Sequence, residues 1–185
     1  RSQVQAGTRL LIIGAGAVAQ AAQALGKARG ANVVLATRRA EVAQALQAKG
    51  VSAFQLPEAE QLPDQARSYF QQHAPQVIFD TTGYWLSAAV NSVDAFGRVA
   101  VIAAPVDGLV SMSALNLYRR GGSIIGVNSL LYSLEDCARM LARIGAAFAG
   151  GIAVTEDFIE RPLSEAVAAY HQVNAGSSEK IVLIP

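Results

Sequence analysis

The stretch from Arg9 to Arg39, RLLIIGAGAVAQAAQALGKARGANVVLATRR, constrains this chain more tightly than any other. The apolar run LLII leads into a glycine-rich turn, a long alanine-rich segment and a second apolar run, NVVLAT. Short apolar runs bounded by glycine read as buried strands, and the alanine- and glutamine-rich stretch between them reads as a helix. Two strands joined by one helix pair in parallel through a right-handed crossover, in a sheet covered on both faces. A composition of 52% hydrophobic and 16% charged residues suits such a sheet and excludes a disordered chain.

The same alternation runs down the chain. Strands are expected at Arg9–Ile13, Asn32–Thr37, Val51–Gln55, Gln76–Asp80, Arg98–Ala103 and Ser123–Val127. Helices are expected near Ala17–Arg29, Ala40–Lys49, Pro63–His73, Trp85–Ala95 and Ser113–Arg119. Six such strands predict an α/β fold with a doubly wound parallel sheet, the Rossmann arrangement. The tail reads as a helix over Leu134–Ala149, an extended segment Ile152–Ile159, a helix Leu163–Asn174 and a last strand Lys180–Ile184. At 185 residues, one domain over 1–185 is the natural expectation.

Gly14-Ala15-Gly16-Ala17-Val18-Ala19 fits G-x-G-x-x-G/A between a strand and a helix. The first glycine permits the tight turn, the second lets the backbone approach a pyrophosphate, and the small third residue lets the helix pack close to the sheet. The helix N-terminus then aims its N–H groups at the phosphates. A site for NAD needs a carboxylate at the end of the second strand, yet no acidic residue occurs from Ala15 to Ala40. Thr37, Arg38 and Arg39 stand there instead, and arginine attracts a 2′-phosphate that a carboxylate would repel. NADP(H) is therefore preferred over NAD(H); two solvated arginines at a helix start are the plain alternative. The missing acid also counts against S-adenosylmethionine.

A net charge of +1 gives no general basic field for nucleic acid or an anionic membrane. Cys137 is the single cysteine, and with only His73 and His171 no ligand cluster has metal spacing, so no metal is expected. These features suit a reducing cytoplasm. The uncharged stretch Leu10–Gly26 is too short and too polar for a membrane span. The chain begins at Arg1, not Met, and enters its first strand within about ten residues, which leads us to expect a domain of a longer protein, with a processed mature chain as the alternative.

Several segments together resemble the cofactor-binding domain of the medium-chain dehydrogenase/reductase family. The nearest branches are its zinc-independent quinone oxidoreductase-like and zinc-type alcohol dehydrogenase-like members. AGTRLLIIGAGAVAQ resembles the entry strand and turn, FDTTG (Phe79–Gly83) the D-x-x-G that ends the fourth strand, and FGRVAVIAAP (Phe96–Pro105) the next strand. GGSIIGVNS (Gly121–Ser129) and DFIERPLSEAVAAYHQVNAGSSEKIVLIP resemble the segments that close the domain. Departures are Ala17 and Ala19 where glycine is frequent, Ala103-Ala104 where Ile-Gly is common, and Glu179 where glycine is usual.

The resemblance implies roles position by position. Gly14, Gly16, Ala17 and Val18 would face the pyrophosphate, and Thr37, Arg38 and Arg39 the adenosine phosphate. Thr81, Thr82 and Gly83 would border the cofactor at a strand end, with a simple turn as the alternative. Ile102, Ala103 and Ala104 would line the nicotinamide, with Val127 and Asn128 nearby. It further implies hydride transfer to a quinone, enone, carbonyl or alcohol substrate and a preceding catalytic domain that nothing here matches. Pairing of the Ser123–Val127 strand in a homodimer is also implied. An enoyl reductase domain of a multi-module synthase and a non-catalytic nucleotide-sensing module remain alternatives.

No side chain stands out as catalytic acid or base. Tyr69, Tyr84, Tyr118, Tyr132 and Tyr170 are followed four residues later by His, Ala, Gly, Asp and Asn, so none forms a Tyr-x-x-x-Lys dyad. Tyr84-Trp85 suits an aromatic start to a sheet-packing helix better than a ligand stack, and Cys137 suits a helix core.

Overall fold

Every residue of Arg9–Ile13 after the first is buried, and successive side chains point to opposite faces. Leu11 and Ile13 enter one apolar cluster with Val34, Ala36, Phe54, Ile78 and Val99, whereas Leu10 and Ile12 enter another with Val33, Leu35, Ala53 and Val77. A strand buried on both faces needs helices on both, and the chain supplies them. The computed structural model describes residues 1–150, 158–177 and 179–185.

Up to its sixth strand the chain alternates β1 (Arg9–Ile13), α1 (Ala17–Ala28), β2 (Asn32–Thr37), α2 (Ala40–Ala48), β3 (Ala53–Gln55), α3 (Leu62–Tyr69), β4 (Val77–Asp80), α4 (Leu86–Ser92), β5 (Arg98–Val101), α5 (Ala114–Arg120) and β6 (Ser123–Gly126). All six strands are parallel, in the order β3-β2-β1-β4-β5-β6. This is the expected doubly wound Rossmann sheet. Ala19 of α1 joins the cluster of Leu10 and Ile12, while Leu62 and Ala66 of α3 and Ala88–Val90 of α4 join that of Leu11 and Ile13. Each fully buried Leu, Ile or Val contributes about 1.5–3 kcal/mol relative to exposure, so the two clusters account for the sheet's cohesion.

Close packing sets the position of α1. A Cβ on Gly26 would stand 2.9 Å from Leu10 Cδ2 and 3.0 Å from Val33 Cγ2, so the helix lies as near the sheet as a glycine permits. Ala19, the third small position of the turn motif, is 1% exposed for the same reason.

Element ends differ from the expected ones where distant partners decide them. β5 stops at Val101 instead of Ala103, because its neighbour β6 stops at Gly126 and only the Val127 N–H bond to Val101 O, 2.9 Å, extends the pairing. β3 begins at Ala53 because Val51 N–H still bonds back to Leu46 O at the end of α2. α3 ends at Tyr69, ahead of Gln71 and Gln72 with φ of 54° and 68°. α5 ends at Arg120, and Gly121 after it, with φ of 57°, is the left-handed stop that glycine supplies.

The helix α6 (Leu134–Ala149) starts at Ser133, whose Oγ accepts the Asp136 N–H at 3.1 Å while donating to Asp136 Oδ2 at 2.8 Å. The chain forms two compact units, Arg1–Ile152 and Ala153–Pro185. In the second unit, β7 (Ile159–Pro162) pairs in parallel with β8 (Ile181–Ile184), and α7 (Ala166–Asn174) connects them after one 3-10 turn over Leu163–Glu165. The expected extended segment Ile152–Ile159 falls outside the described residues except for its last two. Among the described residues no helix is long and apolar enough to cross a membrane.

Candidate functional site

The strand order reverses between β2-β1 and β4-β5, so the loops leaving β1 and β4 diverge and open a crevice at the carboxyl ends of the strands. A cleft of about 540 Å³ lies there, lined by Ile13, Gly14, Ala15, Ala36, Thr37, Arg38, Arg39, Leu56, Thr82, Tyr84 and Trp85. Four consecutive sheet positions, β3 to β4, each contribute their end or the residues just after it.

Hydrogen bonds hold these ends together. Gly14 N–H donates to Ala36 O at 2.8 Å, and Thr81 N–H and Oγ1 both donate to Ile13 O, at 3.0 and 2.8 Å. Leu56 N–H donates to Thr37 O at 2.8 Å, and Gln20 Nε2 to Ala15 O at 3.1 Å. Gly14 has φ +119°, a conformation closed to side chains in general. Gly16 differs: a Cβ there would meet no protein atom within 4 Å, so nothing internal requires the glycine. Its small size leaves open space at the start of α1, which has no side-chain cap and no acid in its first turn. Free N–H groups and the positive end of a twelve-residue helix make that space suited to an anion.

Arg38 and Arg39 carry the only charges among the lining residues, both are exposed, and neither is in an ion pair among the described residues. The cleft is therefore positive at two places: the N-terminus of α1 and the end of β2. Such an arrangement suits anionic groups, and the open space at Gly16 leaves room for one at the start of α1.

Of the candidate residues, the structure brings Gly14, Thr37, Arg38, Arg39 and Thr82 onto one cleft, with Gly16, Ala17 and Val18 directly following at the mouth of α1. Thr81 faces Ile13 and Gly14, and Gly83 is buried against the Ala103–Ala104 backbone, to which a Cβ would approach within 2.5 Å. Ile102, Ala103 and Ala104 follow β5, and Val127 and Asn128 follow β6; none of the five lines this cleft. Asn128 Oδ1 accepts the Leu130 N–H at 3.0 Å and so caps a 3-10 turn over Ser129–Leu131.

Four further contributors lay outside the candidate set. Tyr84 and Trp85 part company: Trp85 is 8% exposed and packs in the core while also flooring the cleft, whereas Tyr84 is 62% exposed at the rim. Leu56 lines the cleft because β3 lies beside β2, a pairing that no local pattern reveals. Asp80 is fully buried and accepts four hydrogen bonds from the loop that follows it. The signal available for it was the run Asp-Thr-Thr-Gly, since a carboxylate readily takes backbone donors two residues on.

Comparison with known proteins gives three kinds of likeness. A family profile described as zinc-binding dehydrogenase matches residues 17–146. A zinc-type alcohol dehydrogenase-like protein from Schizosaccharomyces pombe is 31% identical over 114 residues, 58% of this chain and 35% of its own length. An alcohol dehydrogenase superfamily protein from Novosphingobium aromaticivorans superposes with TM-score 0.80 at 23% identity, over 95% of this chain and 53% of that one. A mycobacterial protein complexed with NADPH superposes with TM-score 0.81 at 19% identity, over 99% of this chain and 59% of that one. The chain thus spans about a third of the yeast relative and somewhat over half of these two structures. At such identities the structural likeness speaks for the fold.

A zinc ion, which the family description implies, does not fit the described residues. Among the described residues no three His, Cys, Asp or Glu side chains come together to hold a metal ion, and Cys137 lies half-buried in α6.

Proposed function

As the chain belongs to the zinc-binding dehydrogenase family, we propose that it is the NADP(H)-binding part of an oxidoreductase. The observation that carries the cofactor preference is the pair of exposed arginines lining the cleft at the end of β2, without ion-pair partners among the described residues, where NAD would need a carboxylate. NADPH and NADP in complexes of structural neighbours, the mycobacterial protein and a crotonyl-CoA carboxylase/reductase, support the same reading.

Gly14, Gly16, Ala17 and Val18 receive the pyrophosphate, and Thr37, Arg38 and Arg39 receive the adenosine ribose and its 2′-phosphate. Thr82 stands in the wall opposite, with Thr81 and Gly83 flanking it. Ile102–Ala104, Val127 and Asn128, at the ends of β5 and β6, lie toward the nicotinamide. Bound NADP(H) supplies the hydride chemistry; these residues bind, orient and exclude water. The substrate class that fits the family is a quinone, enone, other carbonyl compound or alcohol, seated against the half of the protein that this chain does not span. The chain alone then binds cofactor and turns over little.

A parallel titration with NADPH and NADH tests the reading. NADPH binds the more tightly of the two; tighter NADH binding overturns the assignment of Arg38 and Arg39.

A further inference from the structure

Asp80 closes β4 and is 0% exposed, yet no cation pairs with it among the described residues. A buried carboxylate is costly unless its oxygens are satisfied. Here Oδ1 accepts from Thr82 N–H at 2.8 Å, Thr82 Oγ1 at 2.8 Å and Gly83 N–H at 3.1 Å, and Oδ2 accepts from Trp85 N–H at 3.1 Å. All four donors come from the loop between β4 and α4.

That loop serves two places at once. Thr82, Tyr84 and Trp85 line the cleft beside Arg38 and Arg39. Gly83, between them, is seated on the Ala103–Ala104 backbone, with no room for a Cβ. One carboxylate therefore fixes both the cleft wall and the seat of the segment that follows β5. We propose that Asp80 is a positioning residue for the cofactor, holding the Thr82–Trp85 loop in the shape that both halves of the dinucleotide meet. The inference rests on the cofactor reading above. A purely structural Asp80 would cost stability when removed and leave the affinity of the folded protein alone.

The test uses the full chain with Asp80→Ala, Asp80→Asn and, as a stability control, Asp94→Ala. Asp94 pairs with Arg9 at 2.6 Å, at the start of β1 and so at the end of the strands opposite the cleft. Three quantities are measured: the melting temperature, acrylamide quenching of Trp85 without ligand, and the NADPH Kd at a temperature where each variant is folded. Trp85 is the single tryptophan, so its emission reports this loop alone. Asp80→Ala is expected to raise the NADPH Kd about ten- to a hundredfold, the range found when groups that only orient metal ligands are removed. It should also make Trp85 easier to quench. Asp80→Asn should lose less, since its amide oxygen still accepts from Thr82 and Gly83, and it carries the test if the alanine variant does not fold. Asp94→Ala should lower the melting temperature with Kd and quenching unchanged. An unchanged Kd in folded Asp80 variants overturns the inference, as does an equal loss of affinity in Asp94→Ala. An unsubstituted chain that binds no NADPH overturns the cofactor reading itself, and this inference with it.

Discussion

The Oγ1 of Thr81 occupies the place where a side chain on Gly14 would begin: a Cβ built on Gly14 falls 2.1 Å from it. The two residues are the first after β1 and the first after β4, and the same hydroxyl donates to Ile13 O at 2.8 Å. The sharp exit from β1 is therefore shaped by the neighbouring strand as well as by glycine's freedom at φ +119°. Gly14→Ala should destabilise by about 2 kcal/mol or more, from disallowed backbone and steric overlap together. Thr81→Ala removes the overlapping atom and leaves the backbone strain. In a double-mutant cycle by urea unfolding, the pair should then cost less than the sum of the single changes. Simple additivity would refute the contact.

Arg38 and Arg39 lie exposed on the cleft, with no ion-pair partner among the described residues. Replacing either by Ala should weaken NADPH by about ten- to a hundredfold, the scale of 1.5–3 kcal/mol for a hydrogen bond to a charged group. NADH, lacking the 2′-phosphate, should be affected little. Isothermal titration at two ionic strengths checks this, since the NADPH affinity of the unsubstituted chain should fall with salt and that of the double variant should fall less. Equal losses for both cofactors would mean that the arginines serve the fold or the pyrophosphate instead.

Much of this architecture is legible in the residues because its signals are local. Arg9–Ile13 and Asn32–Thr37 are bounded as read, each an apolar run closed by a glycine or a charge. The cleft was legible for Gly14, Thr37, Arg38 and Arg39, which follow from one strand–turn–helix–strand unit. What escaped depends on partners far along the chain. The end of β5 at Val101 is decided by β6, and the presence of Leu56 in the cleft by the pairing of β3 with β2. Tyr84 and Trp85 are adjacent and chemically alike, so only the placement of α4 shows that one is rim and the other core.

Asp136 at the start of α6 has its carboxyl held below the ordinary carboxylate range, first by the Ser133 side chain and then by Arg139. A depressed folded-state value means that its contribution to stability is present above the unfolded value and is lost as pH falls through the folded one. Ser133→Ala removes the leading cause, so the Asp136 titration should move up toward the value of a free carboxylate. An NMR pH titration of the Asp136 side chain checks it; an unmoved midpoint would show that Arg139 and the helix dipole hold the charge without Ser133. Because the side chain is partly exposed at the helix start, the change should be local to the first turn.

Gly16 separates what the fold needs from what the ligand needs. Its φ of −73° is open to any residue, and a Cβ would meet no protein atom within 4 Å. Nothing in the fold therefore requires a glycine here, in contrast to Gly14 two residues earlier. Gly16→Ala should change unfolding stability by no more than about 1 kcal/mol, the ordinary scale for exchanging residues at a helix N-cap. If the pyrophosphate rests on this backbone, the added methyl stands where a phosphate oxygen must come, and bulk there is felt only by the bound state. The affinity for NADPH should thus fall steeply while the melting temperature barely moves, and Gly16→Val should deepen the first effect. Urea unfolding and an NADPH titration on the same preparations measure both. A chain that carries valine at position 16 and still binds NADPH as the unsubstituted one does would show that the cofactor lies elsewhere, since no rearrangement short of moving the α1 N-terminus could admit both groups.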